Sequence, residues 1–532
     1  MNSHDPFESI FDSASADLRS QLNDSPVPDF APRPRIVAPV AAVVAALVVL
    51  GTIGFAQFRS SDSNVNVTDT PADEQNDQVA DPQPDTSTPD DAAPESPPST
   101  VDISERDMSL LTTAPEDVEI TLGMDTTPPA SNRPRPELAQ STNDPAYNSV
   151  VTRLTNAGGR FDRVASNQRQ LINSDNSLML THFEDGSQEA MIVRSVATGG
   201  LITELPIGDD TEPIWHPTNP QLVRHISGGN ASTGSLQLLE TDIASNQTRV
   251  IADLTERVQS SQPTATHFVS GFGAPSTDGN TWSWIVRDDA ESPIEILTYD
   301  LANDRILAEH TDLDIRDAGI PIDPIIEEAL TETRPILRSV TTTPNGTHVV
   351  VEFEEFTIAY PITFVGNLVQ IPNLFDSATV ATAANGNDAY IYIDFNTASP
   401  DNGYLVSVDL ETTERTRLFD LFDEANTSIE LSGGIAAAPG WIIASTFDCK
   451  VDQAWTCNKV LALELAGEQR IVPLAHTYGC GESFLTEPLA IANNDFTAIY
   501  FNSDSGSCGE DAEIYEVQVP AVLRDIATTS TE

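Results

Sequence analysis

The feature that most limits what this chain can become is a repeated turn. A short polar turn followed by a β-branched or aromatic strand occurs seven times: SDNSLMLTHF around Asn176, HPTNPQLVRHI around Asn219, STDGNTWSWIV around Gly279, TPNGTHVVVEF around Gly346, AANGNDAYIYI around Gly386, AAPGWIIAST around Gly440 and ANNDFTAIYF around Asn494. Successive turns lie 40 to 67 residues apart. Self-similarity on this scale belongs to solenoids, propellers and arrays. A second hairpin follows each of the first six turns, in VRSVATGGLITEL, LLETDIASNQTRVI, LTYDLANDRILAEH, ITFVGNLVQI, VSVDLETTERTRLF and LALELAGEQRIV. Two phase-locked hairpins per repeat make four strands, which is a propeller blade. The seventh unit stops after AEIYEVQVP, one strand short, and residues 148–154 (NSVVTRL) have the pattern of the missing outer strand. The expected fold is therefore all-β: a seven-bladed β-propeller over 148–524, closed by its own N-terminal strand so that no sheet edge stays open. Residues 525–532 are expected to be a disordered tail.

Upstream, residues 36–58 form the uncharged run IVAPVAAVVAALVVLGTIGFAQF. At about 1.5 Å per residue it can cross an apolar core of about 30 Å, so a single transmembrane helix is expected. Its flanks, with Arg33 and Arg35 before it and Arg59 after it, place residues 1–35 in the cytoplasm and the rest outside. The long acidic leader does not fit a signal peptide, which has a short basic start. Residues 59–147, with stretches such as DPQPDTSTPDDAAPESPPST, lack the apolar surface needed to offset chain entropy and are expected to be a disordered linker.

Charge narrows the function. The 532 residues carry 81 acids against 26 bases, a formal charge of −55, and the only lysines are Lys450 and Lys459. No basic patch is available for phosphates, so nucleic acid is excluded as a partner. The cysteines Cys449, Cys457, Cys480 and Cys508 all fall in the last two units. Outside the cytoplasm an even count suggests disulfides, and the local pairing 449–457 and 480–508 is the one expected among three possible connectivities. No CxxC or HxxxH spacing supports zinc, no EF-hand spacing surrounds Asp312, Asp314 and Asp317, and no metal or cofactor is expected. Trp282 and Trp284 share one face of a strand and, with Trp441 and Trp455, read as core rather than as a sugar platform. No G-x-S-x-G elbow is present, which removes the serine peptidases.

The turn-plus-strand repeat and the D-[LI]-x-[ST] hairpins resemble the TolB-type, WD-repeat-like seven-bladed propellers over the whole region from 148. More narrowly, VTRLTNAGGRFDR and YFNSDSGSCGEDAEIYEVQVP are similar to secreted propeller proteins related to oligogalacturonate and ulvan lyases. That resemblance implies a possible β-elimination of an acidic glycan, which needs a cation for the uronate carboxylate and a base for the α-proton. The candidates are Arg160, Arg163, His216, Arg224, His225, His267 and His476, with His216, His225 and Arg160 expected to matter most if they meet at a channel mouth. His310 and His348 are placed on outer or exposed strands. In those lyases the last blade carries a histidine where Glu487-Pro488-Leu489-Ala490 has leucine, so a metal site does not carry over. Without a complete catalytic set, the leading expectation is a membrane-anchored module that binds a protein or glycan, with a divergent polysaccharide lyase second and a sensor ectodomain third.

Overall fold

The computed structural model describes residues 122–128 and 134–529, apart from 186–188, 272, 312–322, 324–325, 328–335, 355, 373–377, 396–398, 421–427, 449–453, 480–483 and 507–510. The expected membrane helix, the cytoplasmic segment and the Asp312, Asp314 and Asp317 loop lie outside these residues. Among the described residues, no helix is long and apolar enough to cross a membrane.

Seven antiparallel sheets follow one another along the chain, spanning 161–204, 214–253, 265–310, 337–371, 378–420, 428–476 and 491–518. They are blades one to seven of the propeller that the repeat predicts. In each of the first six, the four strands lie side by side in chain order. The second strands explain the continuous apolar runs of the sequence: Asp388–Ile393, Trp441–Phe447 and Ala498–Ser503 are buried at every position. Each such strand has a neighbouring blade on both faces, so alternation disappears. The outer strand Gln247–Asp253, by contrast, is exposed at five of its seven positions.

The buried apolar residues fall into seven clusters, and each one bridges two consecutive blades around the ring. Trp282 and Trp284, stacked at 5.4 Å, belong to the seam of blades two and three, Trp441 to that of six and seven, and Trp455 packs on the seam of five and six. The core reading of the tryptophans therefore holds.

Four of the polar turns share one device. In blades one and seven Asn173 and Asn493 each accept, through the side-chain oxygen, the N–H groups four and five residues later. In blades three and four the hydroxyls of Ser276 and Thr343 accept the N–H five residues on. These short polar side chains replace backbone partners inside a tight turn, and Gly279, Gly346, Gly386 and Gly440 supply the positive φ.

Blade seven closes as expected. Val150–Arg153 pairs antiparallel with the last strand, Val151 opposite Val517 and Arg153 opposite Tyr515. Arg153 then forms a two-pronged pair with the fully buried Glu513, at 2.5 and 2.6 Å. Two boundaries differ from the sequence reading. Order begins before 148: Ser141–Asn143 adds a fifth strand outside Val150–Arg153, and Gly123 donates its backbone N–H to Ile471 on the rim of blade six. Part of the linker thus finds backbone partners on exposed sheet edges, which composition does not reveal. At the other end, Ala521–Thr529 is a helix that buries Leu523 and Ala527 on the seam of blades six and seven, where a tail was expected. Its apolar residues fall on one helical face.

Candidate functional site

Antiparallel order places the turns between first and second strands at one end of the ring, with those between third and fourth. The first strands face the axis, and a single segment of blade one crosses it. After Phe161–Arg163 the chain does not turn at once but runs through Ser166-Asn167-Gln168-Arg169-Gln170. Asn167 Nδ2 donates to Leu431 O at 2.8 Å and to Glu430 at 2.9 Å in blade six. Gln168 Nε2 donates to Ala378 O of blade five at 3.0 Å, while its amide oxygen accepts from Thr379 Oγ1 at 2.8 Å. Arg169 Nε donates to Gly273 O of blade three at 3.0 Å, and its guanidinium lies 3.5 Å from Glu212, between blades one and two. Three consecutive side chains therefore tie the inner strands of separate blades and plug the channel.

Glycine is required where these inner strands crowd. A Cβ on Gly273 would stand 1.9 Å from Val340 O, and one on Gly433 would stand 2.1 Å from Val380 O.

Above the plug, on the turn side, lies a funnel of about 100 Å³ lined by all seven blades. Gln168, Arg169 and Gln170 form its floor with Ser174. Its walls are Ile214, Trp215, His216 and Pro217, then Ala274–Thr277, Thr341, Thr342, Pro344, Val380, Gly434 and Asn494. Among the described residues no aspartate or glutamate lines it, in a chain with 81 acids. Among the described residues, Arg169 is the only lining residue with a permanent charge. The side-chain oxygen of Gln170 is buried there without a hydrogen-bond partner among the described residues.

Of the candidates chosen by residue type, His216 alone lines the funnel. Its Nδ1 accepts the N–H groups of Thr218 and Asn219, at 3.2 and 3.0 Å. Burial, and then the nearby Arg224, push its pKa down. A neutral ring that accepts at Nδ1 carries its proton on Nε2, so towards a ligand it is a donor rather than a base. Arg224 lies beside it but is committed to Gly279 O at 2.8 Å and Glu240 at 3.4 Å.

The expected meeting of His216, His225 and Arg160 does not occur. Arg160 precedes the first strand of blade one, at the opposite end of the ring, and lies over the Phe183 ring. His225 is buried within blade two, between Ile226 O at 2.8 Å and Thr241 Oγ1 at 2.9 Å, and burial lowers its pKa. Arg163 is buried on its inner strand. His267 is fully buried on Thr266 and Glu291, its pKa lowered chiefly by burial. His476 is fully buried at the outer strand of blade six, 3.0 Å from Thr127 O, where it holds the incoming segment. His348 is not on an exposed strand: it opens the second strand of blade four and is 7% exposed. Residue type signalled reactivity in each case, but burial with local partners turned these side chains into structural ones.

Sequence reasoning missed Gln168, Arg169 and Gln170. The available signal was the extra length between the first inner strand and the Asn176 turn, which no other repeat has as a run of amides around one arginine.

Cys457 is buried and disulfide-bonded. Cys449, Cys480 and Cys508 lie outside the described residues.

These observations define the chain as a seven-bladed β-propeller with a plugged axis and a funnel that no acid lines among the described residues. Among solved structures, it is similar to an oligogalacturonate lyase in complex with manganese, with a TM-score of 0.50, 13% identity, and coverage of 72% of this chain and 96% of that one. Lower scores relate it to an oligogalacturonate lyase from Vibrio parahaemolyticus (0.48, 12% identity, 72% and 97% covered) and to TolB from Acinetobacter baumannii (0.28, 15% identity, 60% and 64% covered). At these identities the likeness concerns the fold alone. No protein-family model matches the chain, and no curated protein matches it.

Proposed function

We propose that this protein is a membrane-tethered binding module whose axial funnel holds a polar, uncharged or mildly anionic segment of a glycan. The observation that carries this reading is the funnel's exclusion of carboxylates from a chain of charge −55. A site surrounded by negative surface binds a non-cationic ligand only if its own lining does not repel it. Arg169, the unpaired Gln170 oxygen and the Nε2 proton of His216 supply hydrogen bonds of both signs, and the flat faces of Trp215 and the prolines supply apolar contact. In this reading 36–58 is the anchor, 59–121 a tether, residues 1–35 face the cytoplasm and the ring lies outside it, with the pairings 449–457 and 480–508 inside the last blades.

A second reading, a lyase of an acidic glycan, draws on Arg169, which could pair with a uronate, and on the name of the similar structure. The geometry supports it less. A lyase needs a base at the α-carbon, and the one histidine of the funnel presents a proton instead. The test is a glycan array read for both retention and the ultraviolet absorbance of an unsaturated product. Retention without new absorbance supports the binding module, and rising absorbance on a uronate polymer replaces it with the lyase. Silence on every glycan refutes the glycan ligand and leaves a protein partner.

A further inference from the structure

We propose that the seam of blades four and five binds one divalent transition-metal cation, zinc being the best match, through His348, Asp388 and Glu411. The three side chains come from distant parts of the sequence. His348 opens the second strand of blade four, Asp388 opens the second strand of blade five, and Glu411 sits in the last turn of blade five. Their ligand atoms lie within 4.8 Å of one another. Imidazole nitrogen and carboxylate oxygen are the donors zinc takes, at about 2.0–2.2 Å, leaving room for a fourth ligand.

Two observations point to a cation rather than to a solvated acidic surface. The first is a shortage of protons. Thr347 Oγ1 lies 2.5 Å from Asp388 Oδ2, 3.1 Å from Glu411 Oε1 and 2.8 Å from His348 Nδ1. A hydroxyl has one proton to give, so it can satisfy one carboxylate, and at the other an oxygen faces an oxygen. The second is burial. Asp388 is fully buried and His348 more than nine-tenths so. Apart from this hydroxyl, Asp388 receives only the backbone N–H of Asn345, at 3.0 Å. The second ring nitrogen of His348 has no hydrogen-bond partner among the described residues. No lysine or arginine among them neutralises the two carboxylates. A buried carboxylate is costly unless it is paired or coordinates a metal. Glu411 is exposed, so it can swing in the short distance needed to close the ligand shell.

The test uses the full chain in detergent, stripped with chelator and dialysed against Zn²⁺ with excess Mg²⁺ to occupy the diffuse acidic surface. One tight equivalent is expected, and Co²⁺ in its place should give a visible absorption band. Glu411→Gln and His348→Gln should each weaken the tight site by roughly tenfold or more, by analogy with outer-shell losses of that size, while Glu468→Gln, an exposed acid elsewhere, should not. If His348→Gln fails to fold, the exposed Glu411→Gln still decides the matter. Absence of a tight equivalent overturns the proposal, as does a tight site that survives Glu411→Gln unchanged.

Discussion

The axis and the rim of the ring are both fastened by residues near the start of the folded region, with different chemistry. At the rim, Val150–Arg153 completes a backbone ladder and Arg153 spends its donors on Glu513, Thr155 O, Pro136 O and Asn156. At the axis, Asn167, Gln168 and Arg169 bridge inner strands through side-chain hydrogen bonds, and next to them Gln170 has an oxygen with no partner among the described residues. The rim is held by a ladder and a buried ion pair, whereas the axis is held by side-chain bridges beneath the hollow to which the proposed reading assigns the ligand.

The sharpest challenge to this contrast is Arg153→Ala. It removes the two-pronged partner of the fully buried Glu513, leaving Arg135 at 3.6 Å and the Ala157 N–H at 3.2 Å, and breaking a buried pair on one side costs about 3–5 kcal/mol. Urea unfolding should show that loss, while any folded fraction keeps its ligand affinity. If ligand retention falls as well, rim and axis are one cooperative unit and the contrast fails.

Arg169→Ala comes next. It removes the only permanent charge of the funnel, and a charge-assisted hydrogen bond contributes about 1.5–3 kcal/mol. Affinity for an anionic glycan should drop roughly tenfold or more, with a smaller loss of stability than at Arg153. A stability loss equal to that of Arg153→Ala would make the plug a structural latch first.

Glu295 in blade three separates stability from binding. It is fully buried, and burial, helped by Glu309 and opposed by a hydrogen bond from Gln262, raises its pKa to about 7. Because the folded value lies above the unfolded one of 4.5, the folded state holds the proton more tightly. Its contribution is fully present below pH 4.5 and is lost as pH rises through 7. Glu295→Gln should flatten that slope in a pH series of melting curves and leave ligand retention untouched.

The smallest expected effect on stability is that of Gln170→Ala, within about 0.5 kcal/mol, because its oxygen has no partner to lose. Retention on the glycan array should nevertheless fall. Unchanged retention would show that the orphan oxygen does not face the ligand.

The same contrast explains what the sequence disclosed. Turns, hairpins and the closing strand were legible because each rests on local chemistry: Asn173 and Asn493 act within five residues, and strand 150–153 is recognisable by pattern alone. The axis was illegible because Gln168 and Arg169 acquire meaning from Ala378, Thr379 and Gly273, more than 100 residues away. Selecting histidines by type failed for a related reason. Nothing local in THFV or LAHT shows that His267 and His476 would be enclosed, whereas Trp282 and Trp284 were read correctly because their spacing and size both demanded burial.

The way the ring closes also dictates an order of events during synthesis. Strand 150–153 leaves the ribosome before blade one, yet its partner Glu513–Gln518 follows only after blades one to six. Blades one to six can form in turn as they emerge, while the opening strand must wait, exposed, for the entire ring. Joining ends this far apart is slow, because the loop-closure entropy precedes the contacts that repay it. A chain interrupted before blade seven would carry an open ring with two unpaired margins. Loss of the closing strand Glu513–Gln518 should therefore cause aggregation out of proportion to its length.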